Sequence, residues 1–165
     1  MAIEIERKFL VKDNTYKALS FAHSHIQQGY LSSGQGKTIR IRLRDSRAYI
    51  TIKGPSIDGG LSRQEFEYEI PLADGEKLLL LCEPGIIDKV RWLVKSGDHT
   101  FEVDEFFGEN EGLVMAEVEL RDASETPIMP HFIGKEVTGD RRYYNSQLRL
   151  HPYRSWHSEA ESGNV

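Results

Sequence analysis

The sequence predicts a sheet-dominated α+β domain whose strands run in mostly antiparallel succession. Three observations predict it. Apolar and charged residues alternate with period two in segment after segment, as strands with one buried face require. Helical patterns are few and short. The connections are turn-like, so neighbouring strands can reverse rather than cross over. The 165 residues suffice for one domain with a real core, and we expect residues 1–152 to form it, with 153–165 as a frayed tail.

The first element is EIERKFLV, which places Glu4, Glu6 and Lys8 on one face and Ile3, Ile5 and Phe9 on the other, interrupted by Arg7. DNTYKALSFA reads as a short helix capped by Asp13 or Asn14. TIRIRLR sets Arg40, Arg42 and Arg44 against Ile39, Ile41 and Leu43, and YITIK sets Thr51 and Lys53 against Ile50 and Ile52. GPSIDGG is a turn. SRQEFEYEI carries Arg63, Glu65, Glu67 and Glu69 opposite Phe66, Tyr68 and Ile70. ADGEKLLLLC reads as a helix capped by Asp74 that stops before Pro84. DKVRWLV, TFEVDEF and MAEVEL then place Lys89 and Arg91, Glu102 and Asp104, and Glu117 and Glu119 on their charged faces. TGDRRYYNSQLRL is read as a third helix, capped by Thr138 or Asp140 and ending before Pro152.

On any single strand, a charged face is most simply a solvated face. Taken together, these faces are different. Charges dominate them, and the signs segregate by strand. Residues two apart on a strand lie roughly 7 Å apart, so like charges there repel unless opposite charges intervene. Converging, such faces form a site with a basic part and an acidic part. Arginine forks and lysines suit phosphate oxygens. Carboxylates without cysteine suit hard cations such as Mg²⁺ or Mn²⁺. Polyphosphate with a divalent metal satisfies both parts.

The net charge of −5 argues against general nucleic-acid binding. Cys82 is the one cysteine, so neither an internal disulfide nor a cysteine-built zinc site is expected. No apolar run approaches the roughly 20 residues that cross a bilayer, and acidic residues appear at once at the N-terminus. A cytoplasmic protein without membrane partners is expected.

Glu4-Ile5-Glu6-Arg7-Lys8 resembles the ExExK signature of the CYTH, or triphosphate tunnel metalloenzyme, superfamily. The resemblance extends through RIR at residues 40–42, the strand ending at Lys53, GGLSRQEFE, KVR, EVDEF, EVE and the late GKEVTGDRRYYN. It implies an eight-stranded antiparallel β-barrel, a tunnel lined by the charged faces, with helices packed outside. It implies Glu4, Glu6, Asp104, Glu117 and Glu119 as metal ligands for Mg²⁺ or Mn²⁺. Lys8, Arg40, Arg42, Lys53, Lys89, Arg91 and Lys135 would bind substrate phosphates. Glu65 and Glu67 would be further tunnel carboxylates, while Arg44 and Glu69 would extend the charged faces toward a mouth. Glu117 and Glu119 are candidates to orient the attacking water, and Lys8 to act beside them. His23, His25 and His99 are read as surface residues, and Arg141 and Arg142 either as solvated helix charges or as residues that reach the tunnel.

The resemblance points most closely to short bacterial inorganic triphosphatases: metal-dependent hydrolysis of tripolyphosphate, with nucleoside triphosphates as further substrates and long-chain polyphosphate as a ligand that an open tunnel could thread. The alternatives kept open are a class IV adenylyl cyclase, making cyclic AMP from ATP, and a non-catalytic polyphosphate-binding module. A homodimer is also left open.

Overall fold

A computed structural model describes residues 2–156. Its strands are β1 (Ala2–Val11), β2 (Ala22–Gly34), β3 (Lys37–Arg44), β4 (Arg47–Lys53), β5 (Ser62–Ile70), β6 (Ile87–Ser96), β7 (His99–Phe106), β8 (Val114–Glu119) and β9 (Ile133–Glu136). Three short helices interrupt them: α1 (Tyr16–Leu19), α2 (Leu72–Leu80) and α3 (Asn145–Leu148). The sheet order is β5-β4-β3-β2-β6-β7-β8-β1-β9, and β5 also pairs with β1. That last pairing closes eight antiparallel strands into a barrel. β5 pairs with β1 over Ala2–Ile5, while β9 pairs with it at Phe9 and Val11.

Register decides what the barrel encloses, because residues opposite one another share a face. Glu6 lies opposite Glu119 and Lys8 opposite Glu117. Arg40 lies opposite Thr51, which lies opposite Glu67, and Lys53 lies opposite Glu65. The charged faces therefore line the interior. Arg7, the interruption in the apolar face of β1, points outward and forms a two-pronged pair with Glu136 of β9 at 3.0 and 2.8 Å.

The largest apolar core lies outside the strands. Phe9, Val94, Phe101, Val103, Ala116 and Val118 pack there against Tyr16 of α1 and Phe132. On the opposite side α2 covers β2, β3 and β4, with Gly75 against Ala48. The cover is incomplete: Ile3, Ile52, Phe66 and Tyr68 stay exposed.

A second cluster fills one end of the barrel. Leu10, Ile87, Phe106 and Met115 continue the inward faces of β1, β6, β7 and β8 as apolar residues, and Val137, Tyr143 and Leu148 pack onto them. Tyr153 and Trp156 join this cluster from a helical turn at residues 153–156. Residues 153–156, expected in the tail, are thus packed here; residues 157–165 lie outside the described residues.

The expected third helix is two pieces, a 3-10 turn over Arg141–Tyr143 capped by Asp140 and then α3, divided at the extended residue Tyr144. Neither α1 nor α2 has the expected cap residue. Thr15 and Pro71 hold those positions, and Asp13 instead accepts from the Thr15 backbone N–H. The expectation also lacked β2, the longest strand at 13 residues. Among the described residues no helix is long and apolar enough to cross a membrane.

Candidate active site

The barrel encloses a cavity of about 240 Å³ whose walls carry eight cationic and seven acidic side chains. Glu4, Glu6, Glu102, Glu117 and Glu119 come from β1, β7 and β8. Arg40, Arg42 and Arg44 come from β3, and Lys89 and Arg91 from β6. Lys8, Lys53, Glu65 and Glu67 complete the expected residues that line it.

Lys8 stands within the carboxylate wall, on β1 between β5 and β8. Its Nζ lies 3.5 Å from Glu6 and 3.6 Å from Glu117, and 4.6 Å above the Tyr144 ring. Burial works against this ammonium, but Glu117, Glu6 and Glu4 outweigh it and raise its pKa. It stays charged across the physiological range.

The carboxylates share protons. Burial and the neighbouring charge of Glu117 push Glu6 up to about 8. Burial also opposes ionisation of Glu117, but Lys8, Arg91 and a hydrogen bond from Glu6 hold it well below the usual carboxylate range. A second pair behaves alike. Burial and the hydrogen bond with Glu4 raise Glu65 to about 7, whereas Lys53, 2.8 Å from Glu4, overcomes burial there and brings Glu4 down to about 2. Burial, Glu4 and Glu102 raise Glu119. This is a wall with more carboxylates than its lysines can neutralise.

That excess, built only of oxygen donors, fits a hard divalent cation. Among the described residues no three such groups already converge as a closed metal cage. Glu4, Glu6, Glu117 and Glu119 are the residues that would hold one, with Glu102 beside them on the same wall.

The basic wall is braced for an anion. Arg42 donates to Gln28 at 2.9 Å, and burial with the charges of Arg40 and Arg91 lowers its pKa to about 9. Arg40 reaches Thr51 at 3.1 Å, yet its buried Nε has no partner. Unpaired and crowded donors of this kind gain most from phosphate oxygens.

Two expected residues differ. Asp104 is 1% exposed and does not line the cavity. Its oxygens take Lys89 at 2.7 Å and Arg91 at 2.8 and 2.9 Å, so it braces the basic wall. Lys135 sits exposed on β9, outside the cavity, because β9 lies beyond the closed eight-strand ring. Arg44 lines the cavity from an exposed position, whereas Glu69 is turned to Arg47 outside it. His23 stacks on Trp92, and His25 and His99 pair with Asp88 and Glu125, all away from the cavity.

Residues not singled out for the site also line it. Glu102 and Arg63 were detectable by parity, two positions from Asp104 and Glu65. Glu102 accepts from Arg91 at 2.7 Å. Tyr30 is on the unpredicted β2, and Tyr144, Asn145 and Ser146 arrive from the C-terminal segment, where Asn145 accepts from Lys89 at 3.1 Å. No strand periodicity marks those last three.

A family model for the CYTH domain matches residues 2–146. The chain belongs to the CYTH domain family. Similar CYTH relatives include the inorganic triphosphatase of Acetivibrio thermocellus, 45% identical over 157 residues, covering 94% of this chain and 99% of that protein. The inorganic triphosphatase of Nitrosomonas europaea is 37% identical over 151 residues, covering 89% and 97%. Among solved structures, the crystal structure of an inorganic triphosphatase superimposes with a TM-score of 0.60 at 33% identity, covering 91% of this chain and 96% of the other. Membership of this family of triphosphate tunnel metalloenzymes implies dependence on a divalent metal.

Proposed function

We propose that this chain hydrolyses inorganic tripolyphosphate with Mg²⁺ or Mn²⁺, and nucleoside triphosphates as secondary substrates, in the cytoplasm. The observation that carries this reading is the two-sided cavity: a carboxylate wall with surplus negative charge facing a guanidinium wall with surplus donors. The relatives named inorganic triphosphatase support the same substrate.

The residues divide the work by charge. Arg40, Arg42, Lys53, Lys89 and Arg91 neutralise the polyanion and align it along the barrel. Glu4, Glu6, Glu117 and Glu119 would hold the divalent cation, which when bound supplies Lewis-acid polarisation of phosphoryl oxygens and acidifies water. Glu117 and Glu119 are the bases nearest in role to the attacking water: one water adds to phosphorus, one P–O–P bond breaks, and the water's proton passes to a carboxylate. Lys8, held cationic between Glu6 and Glu117, offsets negative charge gathering on the bridging oxygen as it leaves. Asp104 keeps Lys89 and Arg91 pointed at the substrate.

Product analysis tests this directly, with tripolyphosphate and ATP, with each metal and with chelator, and with a Glu4→Gln/Glu6→Gln variant as the control for contaminating phosphatase. Metal-dependent release of orthophosphate from tripolyphosphate, lost in the variant, is expected. Cyclic AMP with pyrophosphate from ATP would replace hydrolysis by cyclisation. Binding of polyphosphate without turnover, unaffected by chelator, would leave only the basic wall as functional.

A further inference from the structure

A second cavity of about 320 Å³ adjoins the tunnel and shares Thr38, Arg63, Tyr144 and Ser146 with it. It is built by the β2–β3 turn, the GPSIDGG turn and the segment that carries Gly139 and Arg141. These meet closely because glycine permits it. A Cβ on Gly139 would fall 2.1 Å from the Gly59 carbonyl oxygen, and both Gly60 and Gly139 have positive φ. Arg63 ties the turns together, donating to the Gly54 carbonyl at 2.9 Å and the Gly36 carbonyl at 2.9 Å.

The chemistry of this cavity differs from that of the tunnel. Its charged lining residues are Lys37, Arg63 and Arg141, and no carboxylate lines it. Among the described residues neither Lys37 nor Arg141 has an ion-pair partner, and Asp140, beside Arg141 in the chain, is turned to Arg142 at 2.7 Å. Three cations with hydroxyls from Ser56 and Tyr144 ask for an oxyanion. A nucleobase is less suited, because the Tyr144 ring already carries Lys8 at 4.6 Å and Arg63 at 5.9 Å.

We propose that this cavity is a second oxyanion site of the phosphate class, reached from the tunnel past Arg63 and Tyr144 and held by Lys37 and Arg141. Two sources supply such an anion: the distal phosphate of a linear chain longer than three, or free orthophosphate. The proposal extends the hydrolase reading, but its binding arm does not depend on turnover. Lys37 and Arg141 are exposed, so the double variant Lys37→Gln/Arg141→Gln leaves the fold and the tunnel residues in place.

Calorimetric titration with orthophosphate is the deciding measurement. The wild-type chain is expected to show a tunnel site and a second site, and the double variant the tunnel site alone. Kinetics then separate the sources. If the chain is the source, KM for tetrapolyphosphate rises about tenfold in the variant while KM for tripolyphosphate stays unchanged, as loss of a charge-assisted hydrogen bond implies. If free product is the source, the inhibition constant for orthophosphate rises by about that factor and tetrapolyphosphate is handled as before. Titrations that are the same in wild type and variant, with all these constants unmoved, overturn the proposal. Wild-type protein that hydrolyses neither polyphosphate overturns the hydrolase reading instead, and the titration still decides the site.

Discussion

Glu6 shows how a single side chain can cost stability at the site proposed to hold the metal. It is buried, and it competes with Glu117 for one proton. Glu6→Gln keeps the shape and removes the charge that a metal needs. We expect it to lower the rate at saturating tripolyphosphate by at least about a hundredfold, the scale of losing one preorganised electrostatic contact, while urea denaturation in chelator shows unchanged or higher stability. A variant with full rate would remove Glu6 from the metal-holding set. Asp104 predicts the reverse. Asp104→Asn leaves Lys89 and Arg91 buried without their shared counter-charge, a loss of about 3–5 kcal/mol when one partner of such a pair is removed. Because it touches the basic wall, it should raise KM for tripolyphosphate and leave the metal concentration for half-activation unmoved. A shift in the metal requirement alone would return Asp104 to the metal-binding role.

At the scale of elements, α2 depends on Gly75. A Cβ there would come within 2.3 Å of the Ala48 Cβ, so the helix must move off the outer faces of β3 and β4 to admit it. Gly75→Ala is expected to destabilise the chain by about 1–3 kcal/mol despite alanine's better helix propensity, measured by urea denaturation, with KM unchanged because α2 lies outside the barrel. A stabilised variant would show that α2 docks loosely. Elements also mark where sequence reading stopped. Strands with charge inside and aliphatics outside, such as TIRIRLR, show their period plainly. β2 does not: Ser24 and Gln28 share the inward parity, while His23, His25 and Gly29 share the outward one. Its polar inner residues brace arginines, as Gln28 does Arg42, and its outward Gly29 makes room for Cys82 and Ile86. Both are tertiary reasons, invisible in local alternation. The break of the third helix at Tyr144 is similar, because that residue's place is set by Lys8 and Arg63 rather than by helix propensity. Lys135 belongs to a strand outside the ring, which motif order along the chain did not reveal.

For the whole molecule, the barrel is an unusual core in that its centre is ionic and its apolar packing lies around and at one end of it. Stability without metal must therefore follow the proton inventory of the interior. Glu6, raised to about 8, and Glu65, raised to about 7, hold protons in the folded chain that the unfolded chain has released above the ordinary carboxylate range. The folded state binds more protons there, so stability falls as pH rises. Lys89 acts in the opposite sense above about 7, since burial and the charges of Arg91 and Arg42 bring it down to about that value and its unfolded form keeps the proton longer. The clean window is therefore about pH 5 to 7. In chelator, Glu6 alone should remove about 2–3 kcal/mol across it, at about 1.4 kcal/mol per pH unit, a fall in Tm of about 5–10 °C for a chain of this size. The Glu6→Gln variant should flatten that slope, which assigns it to this carboxylate. Adding Mg²⁺ or Mn²⁺ at pH 7 should raise Tm most in the wild type, because the cation takes the place of the proton shared by Glu6 and Glu117. Tm that rises with pH between 5 and 7 in chelator would mean that these carboxylates are ionised without metal and that the lysines alone neutralise the acidic wall.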